Sequence, residues 1–371
     1  MKRVVLAVGL GIAGVLVFAQ PAWAAASVAP PIPVGVAPNE VTFSPDGTVA
    51  YSANSGSNDI SVIDVASGTT VGLPLPVDAQ PVSIAFVPNG SGAYVASNGG
   101  TVSVIETASA LVTDTIAIAG ASFIEITPDG ATAYVASFGT NTVVPLDVVT
   151  GVAGTPIPVG SGPTGLAISP DGSRLYVANT WDGTVSAIDI ATNTVITQIA
   201  VGPRPFQLTV SPDNSEVWVA VGDINALAVI DAATLETVAT IAVGQNPRSV
   251  TISPDGTTAL AESYFDNAVA VVDVATLVVT SVISIGLNPV YVQFSPDGSR
   301  AYVAVAGDWT IGVILFDPAL YPQPAAPALA RTGENLGGLV PIAGGLLALG
   351  IVLRSRRKHS TPGELWPSSS L

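Results

Sequence analysis

The sequence predicts an all-β fold, a seven-bladed β-propeller built from four-stranded antiparallel blades. One turn string, SPDG or a close variant, recurs seven times along the 371 residues. The prolines of these turns are Pro45, Pro88, Pro128, Pro170, Pro212, Pro254 and Pro296, so successive copies lie 40 to 43 residues apart. Four short apolar segments accompany each turn, and four strands in about 42 residues is the length of one propeller blade.

The fourth copy shows the elements of one repeat in order. A first strand, 163–168, leads into the turn 169–172, where proline presets φ, aspartate bonds back to the backbone and glycine takes a positive φ. Second and third strands are predicted at 174–179 and 184–189, and a fourth at 195–201. The chain lacks the 3.6-residue periodicity that helical repeats would show.

The seventh copy has three predicted strands and then runs into a proline-rich segment, so its fourth strand is missing. The N-terminal string IPVG at 32–35 matches the ends of the fourth strands at 157–160 and 199–202. We therefore expect an N-terminal strand to complete the last blade of a domain spanning residues 27–317. Such closure leaves no open sheet edge at the seam.

Several strings within the repeats point to a known family. The second strands contain YVAN, YSAN and YVAS, and third strands of the VSVIE type follow the SPDG turns. Over roughly residues 32–317 these strings resemble YVTN-type β-propeller repeats, which implies a propeller of the kind carried by surface-layer and secreted proteins. The resemblance specifies a fold and no ligand, because the shared strings are turns and core strands.

The first residues have the composition of an export signal. Residues 1–24 are predicted to be a signal peptide, since Lys2 and Arg3 precede an apolar run and Ala22-Trp23-Ala24 is a small-x-small cleavage pattern. The alternative is an uncleaved membrane anchor. We expect cleavage before Ala25, which would make the mature protein extracytoplasmic.

The last residues predict a second sorting segment. A Pro/Ala-rich spacer at 318–328 precedes a pentapeptide at 329–333, an apolar span at 336–353 and a tail at 354–371 that opens with four cations. The span has the length of a transmembrane helix, and the cations would keep the tail in the cytoplasm. The pentapeptide consists of Leu329, Ala330, Arg331, Thr332 and Gly333.

This arrangement resembles the LPXTG-like cell-wall sorting signal of Gram-positive surface proteins, with Ala330 in place of the usual proline. The resemblance implies that a sortase cuts between Thr332 and Gly333 and joins the chain to peptidoglycan. It places the protein on the extracellular face of a Gram-positive bacterium, in the cell wall or membrane. The alternative is a plain C-terminal membrane anchor that is never cut.

The charge of the region between Ala25 and Thr332 restricts its partners. Five arginines and no lysine stand against 25 carboxylates, which makes the net charge −20. Such a surface repels phosphate backbones, so no nucleic-acid partner is expected, whereas cations, neutral sugars and basic proteins are favoured. The chain has no cysteine, and its one histidine, His359, lies in the tail. Ser/His/Asp and Cys/His catalysis are thereby excluded from the propeller.

Departures from the repeat indicate a candidate ligand site. Glu262 replaces an alanine that the other six copies carry in the second strand. We expect an acidic, aromatic-rimmed mouth over blades four to seven, which would suit a neutral sugar or a cation. The predicted ligand-binding residues are Glu262, Tyr264, Asp266, Arg248, Arg204, Trp181 and Trp309. The alternative is that Glu262 faces solvent or simply pairs with Arg248.

Other acidic residues are expected to be structural. Glu125 lies on an inner strand and is more typical of a structural than a catalytic residue. One acidic residue closes each third strand, and its recurrence in every blade favours turn capping over chemistry. These residues are Asp64, Glu106, Asp147, Asp189, Asp231, Asp273 and Asp317.

Two functions remain open from the sequence. The favoured one is a surface-anchored binding, adhesion or structural interaction module for an extracellular protein or glycan. The alternative is a propeller enzyme, similar to lactonases, lyases or quinone-dependent dehydrogenases, with a carboxylate-bound metal. No catalytic residue and no cofactor is assigned, and the sequence leaves a metal site open.

Overall fold

The computed structural model describes residues 26–316, which form a closed ring of seven antiparallel β-sheets. This confirms the predicted all-β propeller and its seven blades. The described residues contain no helix apart from one 3-10 turn at Gly222–Ile224. They therefore include no helix long and apolar enough to cross a membrane. The segments predicted as signal peptide (1–24), spacer, pentapeptide, membrane helix and tail (318–371) lie outside the described residues.

Three strands of each blade recur with nearly constant length. The innermost strands are β2 (Pro38–Phe43), β7 (Pro81–Phe86), β11 (Ala121–Ile126), β15 (Pro163–Ile168), β19 (Pro205–Val210), β23 (Val250–Ile252) and β27 (Pro289–Phe294). The second strands are β3 (Val49–Asn54), β8 (Gly92–Ser97), β12 (Thr132–Ser137), β16 (Arg174–Asn179), β20 (Glu216–Val221), β24 (Thr258–Ser263) and β28 (Arg300–Val305). The third strands are β4 (Asp59–Asp64), β9 (Thr101–Glu106), β13 (Thr142–Asp147), β17 (Thr184–Asp189), β21 (Ala226–Asp231), β25 (Ala268–Asp273) and β29 (Thr310–Leu315).

The outer strands form the rim of the ring and vary most. They are β10 (Leu111–Ala117), β14 (Ile157–Pro158), β18 (Thr194–Ala200), β22 (Glu236–Ala242), β26 (Val278–Ser284) and, in the last blade, β1 (Ser27–Pro33). In blade one the rim is split into β5 (Thr69–Thr70) and β6 (Leu75–Pro76), which both pair with β4. Blade three has a two-residue rim strand, since Pro145 in β13 has no N–H to offer an outer neighbour.

The second strands explain why this chain is so apolar. In β16, Tyr176 and Ala178 face blade five, whereas Leu175 and Val177 face blade three, and all four are at most 1% exposed. A strand that packs on both faces needs a nearly continuous apolar run instead of strict alternation. Seven apolar clusters result, one between each pair of adjacent blades.

The SPDG turns join the first and second strands through a repeated side-chain network. In blade four the Ser169 hydroxyl donates to Asp171 Oδ1 at 2.6 Å, and the backbone N–H of Ser173 donates to the same oxygen at 2.9 Å. At the same end of the blade, in the turn between the third and fourth strands, Asp189 Oδ1 accepts the backbone N–H of Thr192 at 2.9 Å. Equivalent bonds recur for Asp64, Asp147, Asp231 and Asp273, which confirms the turn-capping role predicted for these third-strand residues.

The ring closes as the sequence predicts. Strand β1 pairs antiparallel with β29, and Ile32 lies opposite Ile311. Ile32 is 2% exposed and packs into the apolar cluster between blades seven and one. At the same seam the Arg300 guanidinium of blade seven donates to the Val65 carbonyl of blade one at 2.6 Å. The first and last strands of the described region therefore share one sheet.

Candidate functional site

One residue from each blade lines the mouth of the central channel. In six blades the pairing of the innermost strand with its neighbour shifts register directly after the first residue, which turns the next side chain toward the axis. The seven residues are Asn39, Val82, Ser122, Thr164, Phe206, Arg248 and Val290, and with Glu40, Asn98, Phe123, Phe138, Gln207 and Tyr291 they line a cavity of about 330 Å³.

Arg248 is the cationic side chain of this cavity. Its guanidinium lies 3.9 Å from the centre of the Tyr264 ring and 5.8 Å from that of Phe206. Its Nε donates to Asn246 Oδ1 at 3.3 Å, and its terminal amino groups donate to no acceptor within residues 26–316. Burial lowers the pKa of Arg248 from its usual value, but arginine remains charged at any physiological pH.

Glu262 has a different place from the one expected. It is 0% exposed, so the alternative that it faces solvent is wrong. The backbone N–H of Arg248 donates to its Oε1 at 2.8 Å and to its Oε2 at 3.1 Å, and the N–H of Ser249 donates to Oε1. Burial raises the pKa of Glu262 well above its usual value, while these N–H donors act in the opposite direction. Glu262 therefore holds the backbone that carries Arg248.

The other predicted site residues divide into two groups. Arg204 and Tyr264 lie close to Arg248. The Arg204 guanidinium lies 5.4 Å from the centre of the Phe206 ring that Arg248 also approaches, and the Tyr264 ring packs against Arg248. Arg204 also pairs with Asp223 at 3.5 Å. Asp266, Trp181 and Trp309 form the second group. None of the residues in either group lines the cavity itself.

Each of these three has its own surroundings. Asp266 binds the backbone N–H and side-chain amide of Gln245 at 2.7 and 2.8 Å. Trp181 packs against Phe138 with ring centres 6.0 Å apart and is 63% exposed. Trp309 is 53% exposed, and its carbonyl accepts the N–H of Val34 at 3.1 Å.

Sequence reasoning missed the residues that fill the channel below the mouth. Tyr291 packs both against the cluster between blades seven and one and against the cluster between blades three and four, so its side chain crosses the axis. It separates the mouth from a second cavity of about 150 Å³ that Glu125, Gln207 and Gln293 also line. Alignment of the seven innermost strands would have shown that the position of Tyr291 has no consensus residue, since the other copies carry Glu40, Ser83, Phe123, Gly165, Gln207 and Ser249 there.

Two carboxyl groups in this channel have unusual acidities. Burial raises the pKa of Glu40 well above its usual value, and the negative charge of Glu125 raises it further. Burial also raises the pKa of Glu125, to about 8. Both carboxyls add to burial in raising the pKa of Tyr291. No three His, Cys, Asp or Glu side chains meet as a metal-binding group anywhere in residues 26–316.

Comparisons with known proteins support the propeller fold and assign no activity. A family model described as "Lactonase, 7-bladed beta-propeller" matches residues 84–200, just under a third of the chain. No curated protein matches the sequence. Among solved structures, hydrazine synthase of Kuenenia stuttgartiensis aligns with a TM-score of 0.72 at 23% identity, over 76% of this chain and 96% of that one. This structural likeness shows the propeller fold and no shared activity.

Proposed function

We propose that the propeller is a binding module that takes a small acidic saccharide into the cavity at the channel mouth. The observation that carries this proposal is the Arg248 guanidinium, which lines the cavity and keeps its terminal amino groups free of acceptors within the described residues. A guanidinium presents a planar fork of N–H donors that matches a carboxylate. Two aromatic rings and the backbone bound by Glu262 already fix the position of this side chain. Ligand binding therefore costs little side-chain conformational entropy.

The remaining lining suits a sugar ring. Phe206 and Phe138 offer apolar ring faces, against which the C–H face of a sugar packs. Asn98, Ser122 and Thr164 line the same cavity with amide and hydroxyl groups that can donate to and accept from sugar hydroxyls. Since the propeller has a strongly negative net charge, a ligand with a single carboxylate fits better than a polyanion.

Calorimetric titration of the purified full-length chain with glucuronate and with glucose tests this proposal. We expect saturable binding of glucuronate and much weaker binding of glucose. Arg248→Gln is expected to weaken glucuronate binding at least tenfold, because a hydrogen bond to a charged group contributes about 1.5–3 kcal/mol. The matched control is Arg204→Gln, since Arg204 lies on the same face but already pairs with Asp223 and does not line the cavity.

Two results would contradict the proposal. One is equal affinity for glucuronate and glucose, or no binding of either. The other is an Arg248→Gln variant that melts at the wild-type temperature and binds glucuronate as tightly as Arg204→Gln does.

We also propose that this module is displayed outside the cell, in line with an adhesion or wall-associated role. The support is in the sequence: an export signal at 1–24, the pentapeptide 329–333, the apolar span 336–353 and the cations that follow it. Cell fractionation tests display. If a sortase cuts the chain, peptidoglycan digestion should release it and Thr332→Ala should retain it in the membrane. Recovery of both forms in the cytosol would contradict display.

A second candidate function is hydrolysis of a sugar lactone. The family model that matches residues 84–200 favours it, and Glu125, within that segment, has a pKa of about 8 that suits proton transfer near neutral pH. Water would add to the acyl carbon, the ring C–O bond would break, and an acid and an alcohol would form. Acid release from gluconolactone at pH 7 should then exceed the spontaneous rate and fall in Glu125→Gln. A rate equal to that without protein would exclude this candidate.

A further inference from the structure

We propose that the central channel holds one calcium ion, bound by Glu40 and Gln207 beneath the mouth cavity. Both side chains are more than nine-tenths buried, at 3% and 8% exposure, and both line the cavity. Glu40 Oε2 and Gln207 Oε1 have no hydrogen-bond partner among residues 26–316. Two buried oxygen acceptors aimed into one space are costly unless a cation or another donor meets them.

Further oxygen atoms line the same channel on either side of Tyr291. Tyr291 lines the channel next to both residues, and its phenol lies within reach of the Gln207 amide. On the far side of Tyr291, Gln293 Oε1 is also buried without a partner, and the Glu125 carboxylate adds a second negative charge. Carboxylate, amide and phenol oxygens are hard donors, and Ca²⁺ takes six to eight such ligands with flexible geometry.

The backbone makes room for this arrangement. A Cβ built on Gly165 would collide with the Phe206 carbonyl and with Gln207 Oε1. Blade four therefore carries no side chain where blade five extends Gln207 toward the axis. Gln207 is held in this position by its amide nitrogen, which donates to the Leu166 carbonyl at 3.4 Å and leaves Oε1 directed away from that bond.

The electrostatics of the channel favour a cation at this position. Glu40 and Glu125 each raise the pKa of Tyr291, and Glu125 raises that of Glu40, so the three groups share one region of negative potential. The Ser83 hydroxyl and the Ile84 backbone N–H face Glu40 from blade two, and Arg248 is the nearby cation on the mouth cavity.

Equilibrium dialysis of the full-length chain with radioactive Ca²⁺, in 0.15 M NaCl at pH 8, tests this site. The salt screens weak binding to the acidic surface. We expect one Ca²⁺ per chain, a higher melting temperature in Ca²⁺ than in EDTA, and weaker binding of Mg²⁺, which demands a smaller octahedral site.

The variants distinguish a built site from surface binding. Glu40→Gln and Gln207→Leu each preserve side-chain size and are expected to weaken Ca²⁺ binding at least tenfold. Glu106→Gln is the matched control, because Glu106 is exposed at the end of β9 and bonds only Ser109 among the described residues. Arg248→Gln should retain Ca²⁺, which separates this site from the saccharide proposal.

The absence of a Ca²⁺-dependent melting shift, or equal Ca²⁺ binding by Glu40→Gln and Glu106→Gln, would overturn the proposal. If Glu40→Gln does not fold, Gln207→Leu makes the same comparison without changing the charge.

Discussion

At the scale of single residues, Glu262 shows how one substitution changes a repeat. Six blades carry alanine at this position, and their innermost strands pair with the second strand over most of their length. In blade six the carboxylate accepts the N–H groups of Arg248 and Ser249, and the strand β23 has three residues instead of six. The Glu262 side chain thus replaces part of the backbone hydrogen bonding between β23 and β24, and it holds Arg248 at the mouth of the channel.

We expect Glu262→Ala to lower the free energy of unfolding by about 1–3 kcal/mol, because buried N–H groups lose their acceptor. Glu262→Gln should cost less, since the amide keeps one acceptor oxygen and the buried carboxyl already has a raised pKa. The measurement is the midpoint of urea unfolding, with Glu236→Ala on the exposed rim strand β22 as control. A Glu262→Ala variant as stable as Glu236→Ala would mean that β23 simply extends its ladder, as the other blades do.

At the scale of elements, the turns between first and second strands contribute a pH dependence at acid pH. Five of the turn aspartates have lowered pKa values, mainly because serine or threonine hydroxyls and backbone N–H groups donate to them. For Asp297, desolvation is the largest single effect and acts against these donors. Blade two has Asn89 at this position, and its Oδ1 accepts the N–H of Ser91 at 2.9 Å. The turn therefore tolerates a neutral acceptor.

We expect the propeller to lose stability as the pH falls from about 4 to about 2. In the folded chain the pKa of Asp213 is about 2, below the unfolded value of 3.8, so its contribution is present above pH 3.8 and is lost on protonation. Asp213→Asn should reproduce the Asn89 turn and reduce the slope of stability against pH in this range. Thermal melting at pH 2, 3, 4 and 6 measures it, and an unchanged slope would contradict the assignment.

At the scale of the whole molecule, stability depends on joining the two ends of the described chain. The seven apolar clusters make a continuous ring of blade-to-blade contacts, and the one between blades seven and one contains residues from both ends. Without β1 the third strand of the last blade would expose an unpaired edge and part of its core. Closure is thus needed for the ring and for the channel at its centre.

We expect Ile32→Ala to cost about 2–4 kcal/mol of unfolding free energy, because it opens a cavity in the cluster that seals the ring. The control is Val28→Ala on the same strand, where the side chain is 50% exposed and the change should stay within about 0.5 kcal/mol. Urea unfolding of both variants provides the comparison. Equal stability of the two would show that β1 adds little to closure.

The sequence by itself determined the blade count, the order of strands, the turn chemistry and the closing N-terminal strand. These features are local or periodic, so that a turn string such as 169–172 or a repeated IPVG is visible without any long-range contact. The sequence also marked Arg204, Arg248 and Tyr264 as departures from the repeat. The structure brings both arginines to the Phe206 ring, and Arg248 also to the Tyr264 ring.

Only the tertiary structure decided which side chains share the channel. Glu40, Gln207 and Tyr291 are far apart in the chain and come from blades one, five and seven, and they meet because the ring converges on one axis. Burial then sets their chemistry, since the loss of solvent raises the pKa values of Glu40 and Tyr291. It likewise turned Glu262 from an expected surface ligand into a buried support, because the same strand position faces a neighbouring blade in every copy.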